Sequence, residues 1–436
     1  MPLSYVRLML LSSLVAILLA SAINYIVDPY GVYRFIDREG FNSHKPKAGA
    51  NSKLAKPYNV QRVMPKTLLL GNSRVEVGMD PKSAQWPQSS LPVYNMSLPG
   101  TGIDTALESL RYAIGVTKLD TIVVGLDFLD FLVDERPGTG RPATPAGPHQ
   151  PNGLSTANRD GLHDVRHPLR KIKDLASTLF SLNALADSAL TLALQGRHDQ
   201  PDLTDRGFNP RREYERVAQI GSYTILFRQV ETTYFASYIR GPKRIYRSGT
   251  TNSVELDQLR ALIKLCRASG MRLLLYIHPY HARMLEGYRI AGLWPAFEEW
   301  KRALVKIISE DAAAHPAMPP LELWDFSGYN EITAERVPGE SERTLAMHWY
   351  WDPGHYKREA GDYVLARMLG GRSNNGPAPA TIGVKLSDQA IDRHLSAIRE
   401  AQQRYAQARG DEVAELEKLA QKVKSRTKAS QHNEIP

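Results

Sequence analysis

The sequence predicts an α/β fold: a three-layer α/β/α sandwich around a five-stranded parallel sheet of flavodoxin-like order, with a helical insertion and an N-terminal membrane helix. Two observations predict the sandwich. Short aliphatic runs, which suit parallel strands covered on both faces, alternate with amphipathic helical segments that supply the crossover connections. A third observation, an apolar stretch over residues 8–26, predicts the membrane helix. The 436 residues, 42% hydrophobic and 23% charged, have a globular composition.

The apolar stretch at residues 8–26 is almost long enough to cross a bilayer core of about 30 Å, so residues 1–30 are expected to enter a membrane. Ala20-Ser21-Ala22 also resembles a signal-peptidase site. We expect an uncleaved anchor with the large domain exported to the periplasm or outside of a bacterial inner membrane. Secretion after cleavage near Ala22 is the alternative.

A basic juxtamembrane linker is expected over residues 31–65. The stretch from Arg34 to Lys66 contains eight basic residues and only two acidic ones, Asp37 and Glu39. The positive-inside tendency would place such a basic stretch in the cytoplasm. Long domains are translocated largely regardless of charge, so the exported arrangement is kept. The linker is expected to be solvated or to lie against anionic headgroups.

The α/β domain is expected over residues 66–370, and its strands are expected at residues 67–70, 92–96, 121–126, 271–277 and 321–325. Ligands of open α/β sheets bind at the carboxyl ends of the strands. There the sequence places Ser73 in the turn Gly71-Asn72-Ser73, a glycine loop with Gly100 and Gly102, Asp127, and His278. Ser73 is the candidate nucleophile.

The region at about 133–248 interrupts the alternation of strands and helices. Residues 137–152, rich in Pro, Gly and Thr, predict a mobile loop, and leucines and alanines at helical spacing predict a helix over residues 171–194. The region is interpreted as a cap over the sheet or as a separate helical subdomain. It also contains His163 and His167, four residues apart, but no third ligand is apparent and no metal is expected.

A second stretch with chemical potential contains Trp349, Tyr350, Trp351, Asp352 and His355. The spacing of three residues lets the aspartate accept the Nδ1 proton of the imidazole while Nε2 points toward a serine hydroxyl. The alternative is that Asp352 caps the following helix and His355 packs beside it. Likewise the three aromatic residues form either a stacking surface for sugar rings or part of the core.

Together, Gly71-Asn72-Ser73, the glycine loop, the polar residue after the third strand and Asp352-x-x-His355 resemble the SGNH, or GDSL-like, hydrolase superfamily. The layout is similar to membrane-anchored members that modify cell-envelope polysaccharides, such as the alginate O-acetylation proteins and the D-alanyl-lipoteichoic acid transfer protein. The resemblance implies a triad of Ser73, His355 and Asp352. It also implies that Gly100 or Gly102 donates to the oxyanion.

Two positions depart from the family pattern. Asn72 replaces an aspartate, and Asp127 replaces the asparagine whose amide would donate to the oxyanion. An ionised Asp127 would repel the developing charge, and loss of one such donor costs roughly 10²- to 10³-fold in rate. The sequence offers Asn95, Arg74 and His278 as replacement donors.

The expected function is that of an exported serine acyl-esterase or O-acetyltransferase acting on ester groups of a cell-envelope or exopolysaccharide. The alternative is a non-catalytic scaffold or glycan-binding component of a polysaccharide biosynthesis complex, with other envelope-biosynthesis proteins as partners. No Gly-x-Gly-x-x-Gly motif or P-loop is present, so no cofactor is expected. The net charge of +9 is not accompanied by a basic block with interleaved aromatics, so no nucleic acid is expected.

After residue 370 the sequence predicts a linker over residues 372–381 and then a polar helical tail. Its apolar positions are sparse: Ile391, Leu395, Ile398, Val413, Leu416 and Leu419. A charged, frayed tail is expected, with docking on the domain or on a partner protein as the alternative.

Overall fold

The computed structural model describes residues 3–134, 168–197, 199–239, 243–371 and 382–432. Within these ranges the strands are β1 (Thr67–Leu70), β2 (Val93–Asn95), β3 (Thr121–Leu126), β4 (Val133–Asp134), β5 (Lys243–Arg244), β6 (Arg272–Ile277), β7 (Glu322–Asp325), β8 (Tyr350–Asp352), β9 (His355–Tyr356) and β10 (Val384–Lys385). The helices are α1 (Leu3–Val27), α2 (Ser52–Val63), α3 (Ser73–Gly78), α4 (Ile103–Ile114), α5 (Pro168–Leu179), α6 (Leu182–Ala193), α7 (Glu213–Gly221), α8 (Tyr223–Tyr238), α9 (Val254–Ala268), α10 (Ala282–Ile290), α11 (Trp294–Ala314), α12 (Arg358–Leu369), α13 (Ile391–Ala408) and α14 (Gly410–His432).

The main sheet has six strands in the order β10-β7-β6-β3-β1-β2. All neighbours run parallel except β10, which is antiparallel to β7. The five predicted strands are present, but the expected five-stranded sheet gains a sixth strand at its edge. The reason is that the chain returns after the predicted linker and pairs Val384 with Asp325 and Lys385 with Trp324.

Helices cover both faces of this sheet. Successive strand residues point to opposite faces, and because these strands are apolar throughout, both faces need to be covered. Leu68, Ile122 and Leu275 pack with helices α4, α9 and α11 on one face. Leu69 and Val123, on the other face, pack with residues of α3, α8 and α12. The three layers bury every residue of β1. This leaves the carboxyl end of β1 as the place where its following turn can carry chemistry.

Helix α1 contains the predicted apolar segment and extends it toward the N-terminus. Residues Ser4–Val27 are long and apolar enough to cross a membrane or to act as a signal sequence, and the apolar window is 0% buried inside the protein. Large side chains such as Leu8, Leu11 and Leu19 are exposed along it. An N-terminal membrane or signal helix is therefore supported, whereas its orientation stays a prediction.

The segment at residues 31–65 is folded against the domain, so the expectation of a solvated linker is wrong. Lys56 is fully buried on α2, where its Nζ lies 2.8 Å from Glu76 Oε1 of α3. Lys45 is also fully buried, and its Nζ donates to the carbonyl oxygens of Val27 and Asp28 at 3.1 and 3.0 Å. These lysines have carboxylate or carbonyl partners, which is what allows them to leave water.

The C-terminal tail also belongs to the folded domain, so the expectation of a frayed tail is wrong for the described residues of α13 and α14. Five of the six sparse apolar positions are buried, namely Ile391, Leu395, Ile398, Val413 and Leu416, and Leu419 is half-buried. Ion pairs also join Glu415 to Arg228 of α8 and to Arg283 of α10, at 2.8 and 3.2 Å. The apolar face of these otherwise polar helices packs against the domain, as the alternative prediction of a docked tail stated.

The region expected as an insertion is described in part. The predicted loop at residues 137–152, together with His163 and His167, lies outside the described residues, as does the linker at residues 372–381. The single helix expected over residues 171–194 is two helices, α5 and α6, because the Ser181 side chain caps α6 by accepting from the Ala184 amide.

Candidate active site

Ser73 lies at the first helical position of α3, directly after the turn that follows β1. Gly71 has a φ of +146°, and a Cβ there would lie 2.5 Å from Val75 Cγ2, so this position requires glycine. Asn72 caps α3, because its side-chain oxygen accepts from the Arg74 amide at 3.0 Å. The turn thus delivers a half-buried serine hydroxyl to the carboxyl edge of the sheet.

The structure brings Ser73, His355 and Asp352 together. Ser73 Oγ lies 2.8 Å from His355 Nε2, although 282 residues separate them in the chain. His355 Nδ1 lies 2.9 Å from both carboxylate oxygens of Asp352. These distances are those of a nucleophile, a base and a residue that orients the base.

The protonation of His355 follows from its partners. The Asp352 carboxylate can only accept a hydrogen bond, so Nδ1 carries the proton and Nε2 accepts from the Ser73 hydroxyl. Burial and then the nearby Arg211 guanidinium lower the pKa of His355 from 6.5 to about 4, although Asp352 opposes both effects. His355 is therefore neutral near pH 7, which is the form that a general base requires.

Arg211 binds Asp352, the acidic member of the triad, and the sequence did not predict this contact. Its Nη1 donates to Asp352 Oδ2 at 2.9 Å, and its guanidinium lies 3.9 Å from the centre of the Tyr214 ring. Burial raises the pKa of Asp352, but His355 and Arg211 outweigh it and hold that pKa well below the usual value. Arg211 has a positive φ of 54°, a strained backbone of the kind that often occurs at functional sites.

No local pattern could have identified Arg211. It is 141 residues from Asp352 in the chain and lies within the predicted insertion, next to another arginine. Only the fold places it beside the carboxylate. The segment that contains it is thus a part of the site and does more than cover it.

Asp127 does not face the oxyanion as an isolated charge, so that expectation is corrected. Its carboxylate is buried and forms an ion pair with Arg74. It also accepts from Asn72 Nδ2 at 2.7 Å and from the Tyr280 hydroxyl at 3.0 Å. Asp127 therefore neutralises Arg74 and fixes the turn that presents Ser73.

A second carboxyl group completes this buried network. Asp130 Oδ2 lies 3.1 Å from the same Asn72 amide. Burial and the neighbouring Asp127 charge raise the pKa of Asp130 well above its usual value. Burial also raises the pKa of Asp127, but the Arg74 guanidinium and the Asn72 hydrogen bond outweigh it, so its pKa is lowered. Asn72 thus lies between two carboxyl groups whose pKa values are shifted in opposite directions.

The side chains expected as replacement oxyanion donors are all buried. Asn95 is fully buried, and its Nδ2 donates to the carbonyl oxygens of Val75 and Met79 at 2.8 and 3.0 Å. Arg74 is buried and bound to Asp127. His278 is fully buried beside Tyr356, where burial lowers its pKa to about 3. Both amide hydrogens of Asn95 are used within the fold, so its predicted role as a donor is wrong. For Arg74 and His278 that role stays a prediction, because Arg74 Nε and His278 Nε2 are buried without a hydrogen-bond partner among the described residues.

The glycine loop lies next to the serine turn. The Leu98 amide donates to the Gly71 carbonyl at 3.1 Å, which attaches the start of the loop to the residue that sets up the turn. Gly100 is exposed, and Gly102 precedes α4, close to Asp130. The Ser73 amide, at the start of α3, has no hydrogen-bond partner among the residues described. An oxyanion donor role for these amides stays a prediction.

The aromatic residues beside the triad belong mainly to the core. Trp351 is only 6% exposed, and Lys357 Nζ lies 4.1 Å from the centre of its ring. Tyr350 is fully buried, and its hydroxyl donates to the Pro279 carbonyl at 2.8 Å. Trp349 is half-buried against Tyr363. A sugar-stacking surface built on Trp351 is therefore wrong.

No model of a protein family, no curated protein and no solved structure matches this chain. The resemblance to the SGNH hydrolases remains a prediction, and the function is argued from the geometry of the site.

Proposed function

We propose that this protein is a serine acyl-esterase or O-acyltransferase whose nucleophile is Ser73. The observation that carries the proposal is the continuous hydrogen-bonded series from Ser73 Oγ through the His355 ring to the Asp352 carboxylate. Asp352 and His355 are close in sequence, in the separate two-stranded sheet of β8 and β9, whereas Ser73 follows β1 of the main sheet. The half-buried Ser73 hydroxyl remains partly accessible to a substrate.

The chemistry follows from the order of these groups. His355 Nε2 takes the proton of Ser73 Oγ as that oxygen attacks an acyl carbonyl, and Asp352 stabilises the imidazolium. Collapse of the tetrahedral intermediate breaks the ester bond, the leaving alcohol takes the proton from His355, and an acyl-enzyme remains. Water or a sugar hydroxyl then attacks the acyl-enzyme with His355 again as the base, which gives hydrolysis or transfer.

The electrostatics around Ser73 support this role. Since Asp127 is paired with Arg74, its charge does not oppose a developing oxyanion as a lone carboxylate would. We propose that the Ser73 amide and an amide of Gly100 or Gly102 stabilise the oxyanion. The same pairing removes the observation that favoured a non-catalytic scaffold, so no second function is proposed.

For the substrate we propose an acyl ester, acetate in the simplest case, on a cell-envelope polysaccharide or exopolysaccharide. Support comes from the resemblance to envelope-modifying SGNH proteins and from α1, which fits a single-pass anchor of the bacterial inner membrane. The catalytic domain would then lie in the periplasm. The spatial order of the five parallel strands, with the second outside the first and the third, fourth and fifth following on the other side, is consistent with the flavodoxin-like layout implied by the resemblance.

The test is covalent labelling of the full chain with a fluorophosphonate, which reacts with activated serines. We expect labelling of the wild type, and none of Ser73→Ala. Ser327→Ala is the matched control, because Ser327 also has a basic partner, with Lys301 Nζ 2.7 Å from its Oγ. A label that persists in Ser73→Ala would overturn the assignment, as would a wild-type protein that stays unlabelled.

A further inference from the structure

Helices α5 and α6 are packed with their polar residues inside and their apolar residues outside. The buried residues of the pair are small or polar: Asp174, Thr178, Ala184, Ser188 and Thr191. Apart from Lys171 and Lys173, most large exposed side chains of the pair and of the turn between its helices are apolar: Leu169, Ile172, Leu175, Phe180, Leu182, Leu190 and Leu192. Ile172 is 63% exposed and Leu182 is 80% exposed.

This arrangement is the reverse of what water favours. A surface helix of a water-soluble domain turns its apolar stripe toward the core and its polar face toward solvent, as α13 does in this chain. In a lipid environment, by contrast, small and polar residues mediate contacts between helices and apolar residues face outward. The pair α5–α6 follows the lipid pattern, and its two helices together pass the length and hydropathy test for a membrane segment.

The pair is joined to the membrane helix by buried hydrogen bonds. Asn24 of α1 is only 1% exposed. Its Nδ2 donates to the carbonyl oxygens of Leu179 and Ser181, at 2.9 and 3.3 Å, and its Oδ1 accepts from Ser188 Oγ at 3.0 Å. The apolar surface of α5–α6 is therefore continuous with the exposed surface of α1, whose composition suits a bilayer.

The contacts also fix the depth of the pair. Each helix has 12 residues and is roughly 18 Å long, too short to cross a core of about 30 Å, and the two axes are bent by 56°. The bend contacts Asn24, three residues before the end of α1. Tyr33 and Tyr58, which follow α1 in the chain, contact Thr178 and Asp174 of α5, at 2.7 and 3.0 Å. The pair thus lies around the base of α1.

We propose that α5 and α6 lie in the interfacial layer of the bilayer beside α1, with their apolar side chains in the acyl region. Interfacial helices combine an apolar face with a basic polar face that contacts anionic headgroups. Lys171 and Lys173 supply exposed positive charge on α5. The membrane contact is then formed by α5 and α6 together with α1, and this broader contact restricts how the domain is oriented above the bilayer. This proposal does not depend on the catalytic assignment.

The test places a nitroxide label in the full chain, reconstituted in vesicles of phosphatidylethanolamine and phosphatidylglycerol. Cys266, the only cysteine, is buried and is first replaced by alanine. Cysteine is then introduced at Ile172 or Leu182, at Leu11 of α1 as the lipid reference, and at Val254 as the aqueous reference. Val254 is 50% exposed on α9 of the α/β domain. Collisions with oxygen, which concentrates in lipid, are compared with those of a water-soluble nickel chelate.

We expect labels at positions 172 and 182 to favour oxygen collisions, though less strongly than the deeper label at position 11, and the label at 254 to favour the nickel chelate. Nickel access at 172 and 182 equal to that at 254 would overturn the proposal. Protection from both agents would also overturn it, because protein and not lipid would then cover the face. All four positions are exposed, so the labels leave the packing intact. Unchanged circular dichroism checks this.

Discussion

Two aspartate–histidine pairs in this protein have the same residue types but different surroundings. In the first, the His355 imidazole lies between the Asp352 carboxylate and the Ser73 hydroxyl. In the second, the Asp325 carboxylate lies between His394 Nε2 and the buried Lys301 ammonium, at 2.8 and 2.7 Å. The central member is a base in one case and an anion in the other.

The difference teaches what makes such a pair chemically useful. Lys301 is fully buried, and Asp325 at the end of β7 balances its charge while His394 connects the pair to α13. This cluster binds the C-terminal region to the sheet. Asp352 is balanced by Arg211 at the edge of the site, and both its oxygens stay within reach of His355. We infer that the first pair serves catalysis and the second serves stability.

The largest expected effect separates the two histidines. His355→Ala removes the base, and we expect kcat to fall by about 10⁴- to 10⁶-fold. His394→Ala removes only a partner of Asp325, and we expect kcat within about threefold of wild type with a lower melting temperature. Steady-state hydrolysis of a chromogenic acetyl ester measures the first effect, and calorimetry the second. Equal losses of activity in the two variants would remove the distinction.

The two aspartates provide the next comparison. Asp352→Asn no longer holds His355 in the required tautomer, and we expect kcat to fall about 10⁴-fold. Asp325→Asn leaves the Lys301 ammonium buried without its anion, and we expect a loss of about 3–5 kcal/mol in the free energy of unfolding. Steady-state kinetics at a temperature where both variants are folded measure kcat. Urea denaturation of each variant measures the free energy of unfolding. An Asp325→Asn protein as stable as wild type would contradict the structural role.

Asp127 is expected to behave like Asp325, since it also neutralises a buried cation. Asp127→Asn leaves Arg74 without its anion, and we expect a loss of about 3 kcal/mol in stability, the lower end for a buried pair. The reason for the lower value is that Arg74 keeps its contact with the Tyr280 ring, 5.5 Å away. Urea denaturation measures this loss. If Arg74→Met in the same protein lowers stability further, the loss does not come from the unpaired charge.

The sequence predicted what depends on local patterns. The five aliphatic strands, the turn at Ser73 and the spacing of Asp352 and His355 are visible over a few residues, and the structure brings these three side chains together. The pairing of Arg74 with Asp127 and of Lys56 with Glu76 was not visible, because charge complementarity between distant residues leaves no periodic signal. For the same reason the buried lysines of residues 31–65 were interpreted as solvated.

The smallest expected effect is a shift in pH dependence. His355 acts as a base only when neutral, and its pKa of about 4 places the acid limb of kcat/KM near that pH. Arg211→Gln removes a positive charge that disfavours the imidazolium, so the pKa of His355 should rise toward 6.5 and the acid limb should move to higher pH. Activity at pH 5 should then be lower than in wild type, while activity at pH 8 should be mostly retained.

Arg212→Gln is the matched control. Arg212 is the neighbouring residue and is exposed, so this substitution removes the same formal charge from the protein surface. We expect its pH profile to coincide with that of wild type. A profile of Arg211→Gln that keeps its limb near pH 4 but loses activity equally at every pH would mean that Arg211 only positions Asp352. A shift of the limb would show that Arg211 keeps His355 neutral.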